Sequence, residues 1–110
     1  MIEILILNLR EGTREEFHKI YVTQSLPLLR KWKINVVAHG KSLHNENTYY
    51  VIRLFKSLED RQKSEDAFYG SEEWKKGPRE AIVSKIESSA EMVIEPENLK
   101  YWLDIVENNH

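Results

Sequence analysis

Residues 2–9, Ile2-Glu3-Ile4-Leu5-Ile6-Leu7-Asn8-Leu9, form an apolar run too short for an amphipathic helix. Its β-branched and leucine side chains suit a strand buried on both faces. Successive strand residues point to opposite sides, so Ile2, Ile4 and Ile6 face one way and Leu5, Leu7 and Leu9 the other. Residues 48–55 behave alike: Val51 and Phe55 alternate with Tyr50, Ile52 and Leu54. When helices cover one side of a sheet, the other side should be polar if it meets water. Here both sides call for burial. Packing two such sheets through their second faces would hide these side chains, each fully buried Leu or Val contributing roughly 1.5–3 kcal/mol. The expected assembly is therefore a homodimer. The alternative is a C-terminal helix folded back over its own sheet.

Outward from this strand, Glu11-Gly12 makes a break, and Thr13 with Glu16 has the spacing of a capping box ahead of Phe17, Ile20 and Tyr21. Pro27 removes a backbone hydrogen bond within the continuation, which predicts a kink or a second helix start capped by Ser25. Leu28, Leu29 and Trp32 carry the apolar face onward. Residues 34–43 and 48–55 are β-rich and flank His44-Asn45-Glu46-Asn47, a polar turn, which predicts a hairpin. Ser57 caps a helix towards Tyr69 whose middle is polar and solvated. Gly70-Ser71 opens a turn holding Trp74. Pro78 starts a helix that carries Ile82, Val83 and Ile86 inward. Residues 91–95 (EMVIE) alternate as a last strand should.

The order is β-α-β-β-α-β, the split βαβ arrangement of a ferredoxin-like α+β fold with a four-stranded antiparallel sheet. One domain is expected over residues 1–96. Beyond Pro96, Leu99, Trp102, Leu103 and Val106 form one stripe of a helical extension over residues 97–110.

Composition narrows the function classes. The 110 residues include 16 basic and 18 acidic side chains, mixed along the chain, so nothing marks a nucleic-acid partner. There is no cysteine, which removes disulfides, thiolate nucleophiles and cysteine-ligated metals. The first residues carry Glu3 and no basic leader, so they do not read as a signal peptide, and no run suits membrane insertion. The expected location is the cytoplasm.

Three stretches, EGTREEFHKIYVTQSLPLLRKW, VIRLFKSLEDR and FYGSEEWKKGPRE, resemble the NIPSNAP family within the wider dimeric α/β-barrel group. The likeness covers roughly residues 1–95. It rests on the LPLL after the first helix together with the S-x-x-W after the second. The resemblance implies small homodimers with a cleft between sheet and helices, many without an assigned activity. Members often carry polar or aromatic residues on the first and third strands, where this chain has Leu5, Leu7 and Val51.

Heme-degrading proteins of the wider group use an Asn on the first strand, a Trp on the second long helix and an iron-binding His near its end. Asn8 is a loose match, Phe68 stands where the Trp would be, and residues 74–79 (WKKGPR) hold no imidazole. No cofactor is expected. Cofactor-free oxygenation of quinols or polyketides, another activity of that group, needs an enclosed apolar pocket and polar groups that stabilise an enolate-like anion. Asn8, Trp74 and Arg79 suit that role, with Tyr50 and Arg53 as further ligand-binding candidates. Each also has a plain structural reading: Asn8 as a strand-end residue, Trp74 as core filler, Arg79 as a solvated first-turn charge.

Arg53 lies between Val51 and Phe55 on one strand face and must find a partner if buried; Glu3 or Glu91 can supply it. His18, His39, His44 and His110 make no i, i+4 pair, and His18 reads as solvated beside Lys19, so no metal site is expected. The leading reading is a homodimer binding a small, largely apolar molecule. The rivals are a cofactor-independent monooxygenase and a protein-interaction module using the C-terminal helix.

Overall fold

The computed structural model of the chain describes residues 1–97. The expected helical extension, with Leu99, Trp102, Leu103 and Val106, lies outside the described residues, and so does its proposed docking role.

Four strands, β1 (Ile2–Leu9), β2 (Asn35–Lys41), β3 (Thr48–Leu54) and β4 (Ile86–Ile94), form one antiparallel sheet in the order β2-β3-β1-β4. Between β1 and β2 run α1 (Arg14–Ile20), a π-helical segment (Tyr21–Ser25) and α2 (Leu26–Lys31). Between β3 and β4 lie α3 (Leu58–Tyr69), α4 (Glu72–Lys76) and α5 (Arg79–Val83). This is the ferredoxin-like α+β architecture.

Alternation along the central strands sets the two faces of the sheet. Leu7, Leu9, Tyr49 and Val51 join Phe17, Tyr21, Leu26, Leu29, Phe68, Trp74 and Ile82 in the core beneath the helices. The opposite face is built from rows in register: Leu54, Ile2 and Ile94; Ile52, Ile4 and Met92; Tyr50, Ile6 and Ala90. Three apolar rows thus lie on the side that the described helices leave uncovered, with Met92 62% and Ile6 43% exposed and Ile2 5%. A polar row ends the patch, where Asn8 donates to Ser88 Oγ at 3.1 Å and accepts from Thr48 Oγ1 at 3.3 Å.

Local details depart from expectation in four places. Thr13 makes no capping bond; its hydroxyl donates instead to the Arg10 carbonyl at 2.7 Å, holding the turn around Gly12 (φ 79°). Ser25 does not cap a second helix either, because the chain stays helical through it. The turn before Pro27 widens, with the Leu26 amide reaching back to the Tyr21 carbonyl, and this relieves the clash a proline ring makes with the preceding turn. Ile86 opens β4 rather than continuing α5, so the last strand begins five positions before Glu91. His18 faces the sheet rather than solvent, with Nδ1 2.8 Å from the Tyr49 hydroxyl. Ser57 caps α3 as expected, accepting from the Asp60 amide at 3.0 Å, and Ser71 caps α4 in the same way through Trp74.

Candidate functional site

A cavity of about 330 Å³ lies between the sheet and the helices. Leu5, Leu7, Val51 and Arg53 form its floor; Phe17, Tyr21, Ser25 and Leu29 form one wall. Phe68, Tyr69 and Trp74 form the other, and Arg79, Ile82, Val83 and Ile86 complete the lining. The second wall is an aromatic cluster: the Trp74 ring lies 5.3 Å from Phe68 and 5.4 Å from Tyr69, centroid to centroid. The Gly70-Ser71 turn and the Ser71 cap aim Trp74 back at the sheet, so a break in the sequence becomes a corner of the cavity.

At the polar end, Arg53 is 2% exposed and Glu3 is fully buried. Arg53 Nε donates to Glu3 Oε1 at 2.6 Å, one terminal nitrogen to the Tyr69 hydroxyl at 2.8 Å and the other to Glu65 Oε1 at 3.0 Å. Arg61 extends the network, 2.5 Å from Glu3 Oε2 and 3.1 Å from Glu91 Oε2. Burial opposes ionisation of Glu3, but the Arg53 charge and the hydrogen bonds from Arg61 and Arg53 outweigh it and hold the carboxyl below its usual range. Glu65 goes the other way: burial, with Glu3 as a neighbour, lifts it to about 7 despite Arg53. Burial also opposes the Arg53 charge, yet Tyr69 and Glu3 hold it firmly cationic. Glu3, Glu65 and Glu91 bring oxygens within 4.8 Å of one another, a spacing that suits a cation, and the two guanidiniums already fill that role.

Two other wall groups have no such partner. Tyr21 Oη and Ser25 Oγ are buried without a hydrogen bond among the described residues. Burial pushes the Tyr21 phenol well above its ordinary range, so it stays protonated.

Of the residues singled out from sequence, Trp74, Arg79 and Arg53 line the cavity. Arg79 sits at its mouth, with its side chain about half exposed and 3.6 Å from Glu80. Asn8 and Tyr50 are on the other face of the sheet, since each is one residue out of step with the cavity floor. Tyr50 packs over Gly40, where a Cβ would come 3.1 Å from its hydroxyl. Sequence reasoning missed Tyr21, Ser25 and Tyr69. Pro27, expected to kink the helix, was the one signal near Tyr21 and Ser25, and it marks a wide turn only once the fold is known.

A second cluster lies beside the cavity. The Tyr49 hydroxyl sits 2.8 Å from His18 Nδ1 and 3.0 Å from His39 Nδ1. Burial, and then the nearby His18 and Arg30, lowers the basicity of His39. Burial raises the Tyr49 phenol to about 12. The three side chains tie α1 to β2 and β3.

No family model matches the chain, and no curated protein matches it. Solved structures do. A NIPSNAP family protein from Agrobacterium tumefaciens superposes with a TM-score of 0.79 at 17% identity, over 86% of this chain and 90% of that one. A protein designated an antibiotic biosynthesis monooxygenase, from Nitrosomonas europaea, superposes with a TM-score of 0.62 at 12% identity, over 86% and 95%. The 5-chloro-2-hydroxyhydroquinone dehydrochlorinase of Burkholderia phenoliruptrix, solved with 2,5-dihydroxybenzoquinone, gives 0.50 at 13% identity, over 86% and 94%. The fold is thus one that NIPSNAP family proteins have, shared more distantly with monooxygenase-type proteins.

Proposed function

We propose that the chain acts as a small homodimer that binds a largely apolar small molecule in the cavity between sheet and helices. The observation that carries this reading is the cavity itself: about 330 Å³, walled by aromatic and aliphatic side chains, with a few polar residues in its lining. Small-molecule sites have this character. Trp74, Arg79 and Arg53 are the proposed contacts. The three apolar rows on the uncovered face support the dimer, and Asn8 and Tyr50 fall on the surface it would bury.

A screen of neutral, bicyclic aromatic fragments by methyl NMR tests the reading. Binding should shift the methyl signals of Leu5, Val51 and Ile82. Leu5→Trp, which fills the cavity from its floor, should abolish those shifts while the protein stays folded. Absence of shifts, or shifts confined to another surface, removes the proposal.

A second reading is a cofactor-independent monooxygenase acting on quinol or polyketide-type substrates. It is favoured by an apolar cavity whose wall carries the hydroxyl-bearing side chains of Tyr21, Ser25 and Tyr69, groups of the kind that stabilise an enolate-like anion, while Arg53 is held by Glu3, Glu65 and Tyr69. Oxygen uptake with a panel of quinols and aromatic polyketides checks it, and no uptake across the panel eliminates it.

A further inference from the structure

The cavity lining holds two charges, and they differ in what they can still bind. Both are guanidiniums, Arg53 and Arg79, and no carboxylate stands in the lining among the described residues. Arg53 is fully engaged: at 2% exposure it donates to Glu3, Tyr69 and Glu65. Arg79 is not. Its carboxylate neighbour among the described residues is Glu80, 3.6 Å away with its side chain 86% exposed, too distant for a hydrogen bond and too well solvated to hold the guanidinium.

The position of Arg79 decides what it can meet. Three lining residues are exposed, Tyr69, Arg79 and Val83, and the others are buried or partly buried, so the cavity reaches solvent along these three. Arg79 is the one charge among them. It lies four positions before Val83 on α5, on the same helical face. At such a boundary a long side chain lays its methylene stem on the apolar wall and keeps its charged head in water. The head is thus within reach of a group carried at the outer end of a bound molecule.

A guanidinium only donates and keeps its charge at any ordinary pH, so its complement is an anion. The interior fixes where that anion sits. Phe17, Phe68 and Trp74 offer flat apolar contact, and a full charge among them would lose its hydration with Arg53 already paired. At the mouth, a carboxylate keeps part of its water and gains a charge-assisted bond.

We infer that the cavity takes an amphipathic carboxylic acid, its aromatic or aliphatic body among Phe17, Phe68 and Trp74 and its ionised carboxylate at the mouth against Arg79. This rests on the ligand-binding reading above and adds the headgroup. The formal net charge of -2 works against anions in general, so a preference for one is local to Arg79.

Equilibrium dialysis of the full chain at low ionic strength with naphthylbutyrate, naphthylbutyramide and naphthylbutylamine tests the assignment, since one body carries an anionic, a neutral and a cationic end. The carboxylate should bind about fivefold more tightly than the amide, with a margin that shrinks as salt is added, and the amine should bind most weakly. Arg79→Gln should erase the margin by weakening the carboxylate more than the amide, and Arg79→Lys should retain part of it. Glu80→Gln, which removes the competing carboxylate, should widen it. Carboxylate and amide binding alike, a margin that survives Arg79→Gln, or tightest binding of the amine overturns the headgroup assignment while ligand binding stands. If none of the three binds, the ligand-binding reading falls too.

Discussion

Glu3 and Arg53 stand directly opposite each other on adjacent strands β1 and β3, buried to 0% and 2% exposure, with Arg53 Nε 2.6 Å from Glu3 Oε1. Because register, not a flexible reach, places them there, neither can move to water when the other is removed. Glu3→Leu should therefore cost about 3–5 kcal/mol. Combining it with Arg53→Met should recover much of that loss. Urea denaturation at fixed protein concentration measures both; a single variant within about 1 kcal/mol of the native protein would show that the pair is solvated.

The two carboxyls of this network should give opposite pH dependences. Glu3 is held below its ordinary 4.5, so its stabilisation is complete above that value and is lost as pH falls through its folded value. Glu65 is lifted from 4.5 to about 7, so the folded state holds its proton more tightly than the unfolded chain. Stability from this group falls as pH rises from about 4.5 to about 7. Glu65→Gln should flatten that decline relative to the native protein, measured by urea midpoints across the range, while Glu3→Gln should flatten only the acid limb. Identical profiles for Glu65→Gln and the native protein would contradict the raised carboxyl.

The proposed dimer should depend on the face that the described helices leave uncovered. Ile6 lies in the central strand, between Tyr50 and Ala90 and 43% exposed, so Ile6→Lys would place a charge among three apolar rows without touching the core. Sedimentation velocity should find the native protein dimeric and the variant monomeric, with unchanged circular dichroism. A native monomer at micromolar concentration would rule out the face-to-face assembly.

Tyr49→Phe should destabilise the protein by about 1–3 kcal/mol, because one hydroxyl serves His18 and His39 together. Removing it leaves two part-buried imidazoles without their partner. Thermal unfolding at neutral pH reads the loss, and an unchanged midpoint would mean that water replaces the hydroxyl.

What was legible in the sequence follows from how local each cause is. Alternation in residues 2–9 and 48–55 displayed the two-faced sheet, and Arg53 between apolar neighbours announced a buried partner, found in Glu3. Ser57 capped α3 because an N-cap is a contact within one turn. The start of β4 was hidden because Glu87, Ser88, Ser89 and Ala90 are exposed, so hydrophobic pattern is silent there. His18 was read as solvated from its neighbour Lys19, although only the packing of α1 decides which way a ring turns. Asn8 and Tyr50 looked like candidates for the cavity by residue type, and their strand parity sends them to the other face.

The π-helical segment also sets the phase of the helices on either side of it. At about 100° per residue, an unbroken α-helix would put Phe17 and Leu29 about 120° apart, one inward and one at the flank. One extra residue absorbed in the wide turn subtracts about 100° and brings them to within about 20°. Both are buried, Phe17 at 0% and Leu29 at 3%. Deleting a single residue there would twist one half of the helix against the other, so the length of this segment is as constrained as its composition.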